Sequence, residues 1–99
     1  MATITKFEDL EIWQLANSLS NEIYDVIKST DLDTDYALKN QIDRSAMSIS
    51  DNIVEGFERE GNKEFIHFLS IAKGSCGETR SQLIKSLIEN ILMMKNLKN

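Results

Sequence analysis

The stretch Asn40-Gln41-Ile42-Asp43-Arg44-Ser45-Ala46-Met47-Ser48-Ile49-Ser50-Asp51-Asn52-Ile53-Val54-Glu55-Gly56 decides how this chain folds. Ile42, Ala46, Ile49 and Ile53 recur at steps of three and four, and Leu38 and Phe57 extend the same line in either direction. That spacing lays all six on one face of an α-helix, and no proline interrupts it. Beside the apolar stripe, Gln41, Ser45, Ser48, Asn52, Glu55 and Arg59 fall within about 40° of a common line at about 100° per residue. Amides and hydroxyls in such a line interlock with a neighbouring helix. Each buried member needs a hydrogen-bond partner, so the stripe fixes register more than it adds stability. Arg44 or Arg59 is the candidate ion-pair partner of Glu55, and Glu78 is a further charged member on a later helix.

Working outward, this helix is expected over about residues 35–58, with Asp33 or Thr34 accepting from its first free N–H groups. Upstream, a polar break at residues 29–34 separates it from a helix over about 9–29. That first helix aligns Ile12, Leu15, Ala16, Leu19, Ile23, Val26 and Ile27, with Trp13 and Tyr24 flanking them. Downstream, Gly61 suits a left-handed helix end and Asn62 the cap of the next helix, giving a tight helical hairpin. From there Phe65, Phe68, Leu69, Ala72, Cys76, Thr79, Leu83, Leu87, Met94 and Leu97 share one face, with no stop signal before the end of the sequence. Residues 83–94 are apolar nearly all round, which an exposed helix tip does not tolerate. Either the helix breaks near Asn90 and folds back, or another subunit covers it. The expected architecture is all-α: an antiparallel up-and-down bundle of three long helices, with a shortened or fused fourth over 84–98, in a single domain spanning 1–99.

Composition narrows the function. The 99 residues are 41% hydrophobic and 27% charged, a globular balance that argues against disorder. No apolar run approaches a membrane span and the first residues lack the core of a signal peptide, so a soluble, cytoplasmic protein is expected. One cysteine and one histidine cannot build a structural zinc site, which takes about four such ligands, and no cofactor motif is present. Catalysis fails on inventory as well. There is no phosphate-binding glycine loop, and Cys76 and His67 lie nine residues apart on opposite sides of one helix. Cys76 reads as a small core residue and His67 as a solvated one. Gly74 and Gly77 cost about 1 kcal/mol each inside a helix relative to alanine, so a close helix approach is expected there. No enzyme and no small-molecule substrate are expected.

The net charge of −5 argues against a generic nucleic-acid binder, but the charge is unevenly placed. Residues 1–35 hold Lys6 and Lys28 against eight acids, a net of −6, whereas residues 63–99 hold six bases against three acids, a net of +3. Opposite fields attract neighbouring helices, and they also leave a basic side for an anionic partner. Lys73, Arg80, Lys95 and Lys98 lie near one side of the third helix. Without interleaved aromatics, such a stripe contacts phosphate and reads no bases. Repetition in a ring of subunits would multiply its effect.

Three segments carry a family resemblance: Phe7-Glu8-Asp9-Leu10-Glu11-Ile12-Trp13-Gln14; then Gln41-Ile42, Arg44-Ser45-Ala46, Ser48-Ile49, Asn52-Ile53 and Glu55-Gly56; then Glu64-Phe65-Ile66, Phe68-Leu69, Ile71-Ala72, Gly74-Ser75 and Glu78. In this order, over about residues 7–83, they resemble the four-helix bundle proteins encoded in intervening sequences of bacterial 23S rRNA genes. The resemblance implies an up-and-down bundle assembled as a ring-shaped homopentamer. It also implies similarity to the accessory variability protein of diversity-generating retroelements, whose group binds nucleic acid, and an RNA or ribonucleoprotein partner. Arg44, Ser48, Asn52, Glu55, Gly74 and Glu78 match family positions without a known chemical role. Relatives have a Gly-Tyr turn and a full fourth helix after the position of Leu83, where this chain continues directly into Ile84-Lys85-Ser86-Leu87. The competing expectation is a structural or protein-interaction module that binds no nucleic acid.

Overall fold

A computed structural model describes residues 3–98, with side-chain surroundings up to Lys95. Helices α1 (Glu11–Lys28), α2 (Tyr36–Glu58) and α3 (Asn62–Lys98) are joined by short connections, with 3-10 turns at Phe7–Asp9 and Asp31–Thr34 and no strand among the described residues. The α-helical periodicity read from the sequence is therefore present in each of the three predicted segments. Their ends differ from expectation by a few residues at most, each for an identifiable reason.

At the start of α2 the cap is Asp35, whose Oδ1 accepts from the Leu38 N–H at 3.2 Å. Asp33, an expected cap, is occupied elsewhere: its Oδ1 lies 3.0 Å from Lys39 Nζ and 3.3 Å from Lys28 Nζ, tying α1 to α2. Thr34, the other, turns back to donate to the Asp31 carbonyl. The break between the helices is structured as well. Thr30 Oγ1 donates to the Val26 carbonyl at 2.8 Å and accepts from the Leu32 N–H at 3.3 Å, and the turn plants Leu32 in the core. At the second connection Gly61 has the expected positive φ, 106°. Its carbonyl accepts from the Phe65 N–H at 3.3 Å, so Asn62 is the first residue of α3 instead of its cap.

Helix α2 is the centre of the molecule. Leu38, Ile42, Ala46, Ile49 and Ile53 are all buried, Ile42 and Ile53 to 0% and 1% exposure. The core forms two clusters along it. Ile23, Ile27, Leu32, Leu38, Ile42 and Ala46 make one, against which Leu83 packs; Ala16, Ile49, Ile53 and Ala72 make the other, flanked by Leu10, Trp13 and Leu69. Moving along α2 from Ser45 to Gly56, the partners on α3 run back from Gln82 through Ser75 to Phe68. Both outer helices pack on α2, while α1 and α3 scarcely meet each other.

That arrangement overturns several expectations. Ile12, Leu15, Leu19 and Val26 belong to the predicted apolar stripe of α1 yet are exposed, Leu15 to 63%. Cys76, expected in the core, is exposed as well. The physical reason is common to both: two helices resting on a third enclose only the sides that face it, and the flank between α1 and α3 stays open. Gly74 and Gly77 have no atom within 4 Å of where a Cβ would stand, so the expected close approach within the chain is absent. The close approach is at Gly56, where a Cβ would lie 2.7 Å from Phe68 Cβ.

Helix α3 runs unbroken for 37 residues, about 55 Å at 1.5 Å per residue, and sets the length of a molecule measuring 62 × 21 × 21 Å. It does not fold back at Asn90. Residues 84–98 therefore continue the third helix, and Leu87 and Met94, expected on its covered face, are exposed. Leu97, also expected there, lies outside the residues whose side chains are described. No helix is long and apolar enough to cross a membrane among the described residues.

Candidate functional site

Two features of α3 bear on function: a polar seam where it meets α2, and a basic side that borders the open flank. The seam is built from the predicted stripe of α2. Ser45 Oγ donates to Gln82 Oε1 at 2.7 Å and accepts from Thr79 Oγ1 at 2.8 Å. One turn on, Ser48 Oγ and Ser75 Oγ share a hydrogen bond of 2.7 Å, and Asn52 Nδ2 donates to the Ser48 carbonyl at 2.7 Å and to its hydroxyl at 2.9 Å. Ser45, Ser75 and Thr79 are buried, and every buried side-chain polar atom among the described residues has a partner. A satisfied network of this kind fixes one register between two helices, because a slip by one residue would orphan several groups together.

A shallow recess of about 290 Å³ opens onto the seam, and the structure brings Gln41, Arg44, Ser45, Ser48 and Glu78 to it as the sequence suggests. Arg44 and Glu78 stand exposed at its mouth. Glu55 points away from it. Its Oε1 takes two hydrogen bonds from the Arg59 guanidinium, at 2.6 and 3.0 Å, so of the two candidate partners Arg59 is the one engaged. The α3 half of the seam, Ser75, Thr79 and Gln82, is missed by a reading that assigns Thr79 to the apolar face. The available signal is their spacing of four and three, which keeps three polar groups on one line.

Chemically the seam offers hydroxyls and amides that already satisfy one another, with Arg44 and Glu78 as the charged groups at its recess. Cys76 and His67 are both exposed and separated by half a turn of phase and about 13 Å along α3. No group of three metal-ligating side chains is found among the described residues.

The basic residues are arranged differently from a cluster. Lys73 and Arg80 lie two turns apart on the same side of α3, both exposed, and Lys95 is exposed about four turns further on. The side chain of Lys98 lies outside the described residues. Lys73 sits at the lip of the open flank, beside Leu15, Leu19, Leu69 and Cys76. What this geometry presents is a line of widely spaced cations along a helix that borders an apolar channel.

The family model of the 23S rRNA-intervening sequence protein matches residues 8–99, thereby covering α1, the seam and the whole of α3. No curated protein and no solved structure matches the chain. With the matched region taking in nearly all of the sequence and every helix of an all-α fold, the chain belongs to the 23S rRNA-intervening sequence protein family.

Proposed function

We propose that this chain is a non-enzymatic, self-associating helical module that assembles as a ring, five subunits being the favoured number, and contacts RNA or a ribonucleoprotein along the basic side of α3. The reading treats the helices as an antiparallel up-and-down bundle that is incomplete within one copy. It also carries the likeness to the nucleic-acid-binding accessory proteins of diversity-generating retroelements, and a place in the bacterial cytoplasm.

The observation that supports self-association is the uncovered apolar surface. Between residues 84 and 94, seven large apolar side chains are each at least 45% exposed. Complete burial of one such side chain is worth about 1.5–3 kcal/mol, so covering the exposed halves of seven returns on the order of 5–10 kcal/mol. That is the scale of the entropic cost of association, about 4–15 kcal/mol, before the flank of α1 is counted. Assembly would bring the cations of several α3 helices together, offsetting the weakness of four charges on one acidic chain.

Binding to single-stranded RNA should accordingly be salt-sensitive. With about four phosphate contacts per copy, log K should fall against log salt with a slope of about −3, and Lys73→Glu with Arg80→Glu should weaken binding at every salt. Fluorescence anisotropy at low ionic strength reads both. Absence of salt-sensitive binding there contradicts the RNA part of the proposal. The net charge of −5 favours the second reading, a protein-interaction module without nucleic acid, and a protein partner recovered free of RNA would support it.

A further inference from the structure

We propose that the open channel between α1 and α3 of one copy is filled by residues 84–94 of α3 from a second copy, so that the fourth helix of each bundle is supplied by a neighbour. The inference rests on the self-associating reading above and names the two surfaces that meet.

The channel, about 350 Å³ in volume, runs over α2 with Leu15 and Leu19 on one wall, Leu69 and Cys76 on the other, and Ile49 and Ile53 beneath. An apolar trough of that form takes the apolar side of a helix. The same chain holds a helical segment whose broad apolar side is uncovered: Ile84, Leu87, Ile88, Ile91, Leu92 and Met93 are all exposed, with Lys85, Ser86, Glu89 and Asn90 on the remaining side. Those two surfaces cannot meet within one copy. Helix α3 is continuous, and Ile88 lies about 18 Å beyond Cys76 along the same axis, so the segment points away from its own channel.

Length and charge favour a second copy over an unrelated partner. Residues 84–94 span about 15 Å, and the uncovered side of α1 from Ile12 to Val26 spans about 21 Å. Helix α1 carries exposed Glu11, Glu22 and Asp25, while the incoming segment carries exposed Lys85 and Glu89 and is followed by exposed Lys95, a net of +1. The net of −6 over residues 1–35 therefore favours the weakly basic end of α3 as the occupant, whereas two α1 flanks set face to face would repel. Gly77, next in sequence to the channel residue Cys76, has open space where its Cβ would stand, which lets another backbone come close there. Each copy gives one segment and receives one, so the arrangement closes as a two-fold exchange or as a ring.

The chain's one cysteine, Cys76, lies in the channel and reports on its occupant. Ile88→Cys and, separately, Met94→Cys in the full chain should give, under mild oxidation, a disulfide between copies that joins Cys76 to the introduced thiol. Peptide mapping identifies the link, and circular dichroism checks that each variant is helical. Cys76→Ser combined with either substitution should abolish that link. A dimer band alone indicates a two-fold exchange and a ladder indicates head-to-tail linkage, with the solution mass distinguishing a closed ring from an open filament; both support the proposal. A multimeric mass by light scattering with no mapped link from either variant overturns the channel assignment and leaves self-association standing. A monomeric mass overturns both.

Discussion

Gly56 packs closely against α3, and of the four glycines it is the one where an added methyl meets other atoms. A Cβ there would lie 2.7 Å from Phe68 Cβ, 3.1 Å from Phe65 Cδ1 and 3.3 Å from the Phe65 carbonyl oxygen, two of the three being atoms that cannot swing aside. Gly56→Ala should therefore destabilise by about 1–3 kcal/mol, seen as a lower urea midpoint with an unchanged m-value. An unchanged midpoint would mean that the helices separate without cost. In the seam, Ser48→Ala removes the partner of the buried Ser75 hydroxyl and should cost about 1–2 kcal/mol. A double-mutant cycle with Ser75→Ala should show the two losses coupled, by about 0.5–1.5 kcal/mol; simple additivity would deny the bond. Asp33 acts at the surface. Hydrogen bonds from Lys39 and then Lys28 hold its carboxyl below the ordinary carboxylate range, and the bond to Asp33 raises Lys39. The Asp33 contribution is complete above the ordinary carboxylate range and is lost as pH falls through the lowered value. The Lys39 contribution is present below the ordinary lysine range and is lost as pH rises through the raised value. Asp33→Asn should thus lower the melting temperature slightly at neutral pH and flatten its acid limb; identical acid limbs would remove the ion pair from the account.

At the scale of elements, the helices were legible because their apolar residues repeat at three and four and no proline breaks them. The α2 stripe is legible from Leu38 to Ile53, all of whose apolar members are buried because neighbours cover α2 on two sides, while Phe57, expected to extend it, is only half-buried near the helix end. Helix α1 was read only by half. Periodicity identifies Leu15 and Leu19 as apolar but is silent on how many neighbours arrive to cover them, and here one neighbour leaves them at the surface. The same limit explains Cys76, whose position on the apolar face of α3 says nothing about whether α1 closes over it. The caps were misplaced by one or two residues because Asp33, Thr34 and Asp35 all have side chains able to accept from a helix start. The choice fell to Asp35 once Lys28 and Lys39 had engaged Asp33. Of the candidate site, the α2 half of the seam was visible as a line of amides and hydroxyls. The α3 half was hidden inside an apolar pattern, because threonine and serine serve both roles.

At the scale of the molecule, α3 extends about 55 Å while α2 covers it only part of the way, and its far end is largely apolar and exposed. One copy thus exposes both an apolar channel and a largely apolar helix face, a combination that marks an interaction surface. The proposed ring, and the RNA contact along it, depend on that surface being covered by another copy. The most direct test is the solution mass by light scattering after size exclusion, at low and at high salt. Apolar burial persists as salt rises, so a stable mass several times the 11.3 kDa of one chain is predicted at both, with five subunits favoured. A clean 11.3 kDa species at both salts would contradict the account.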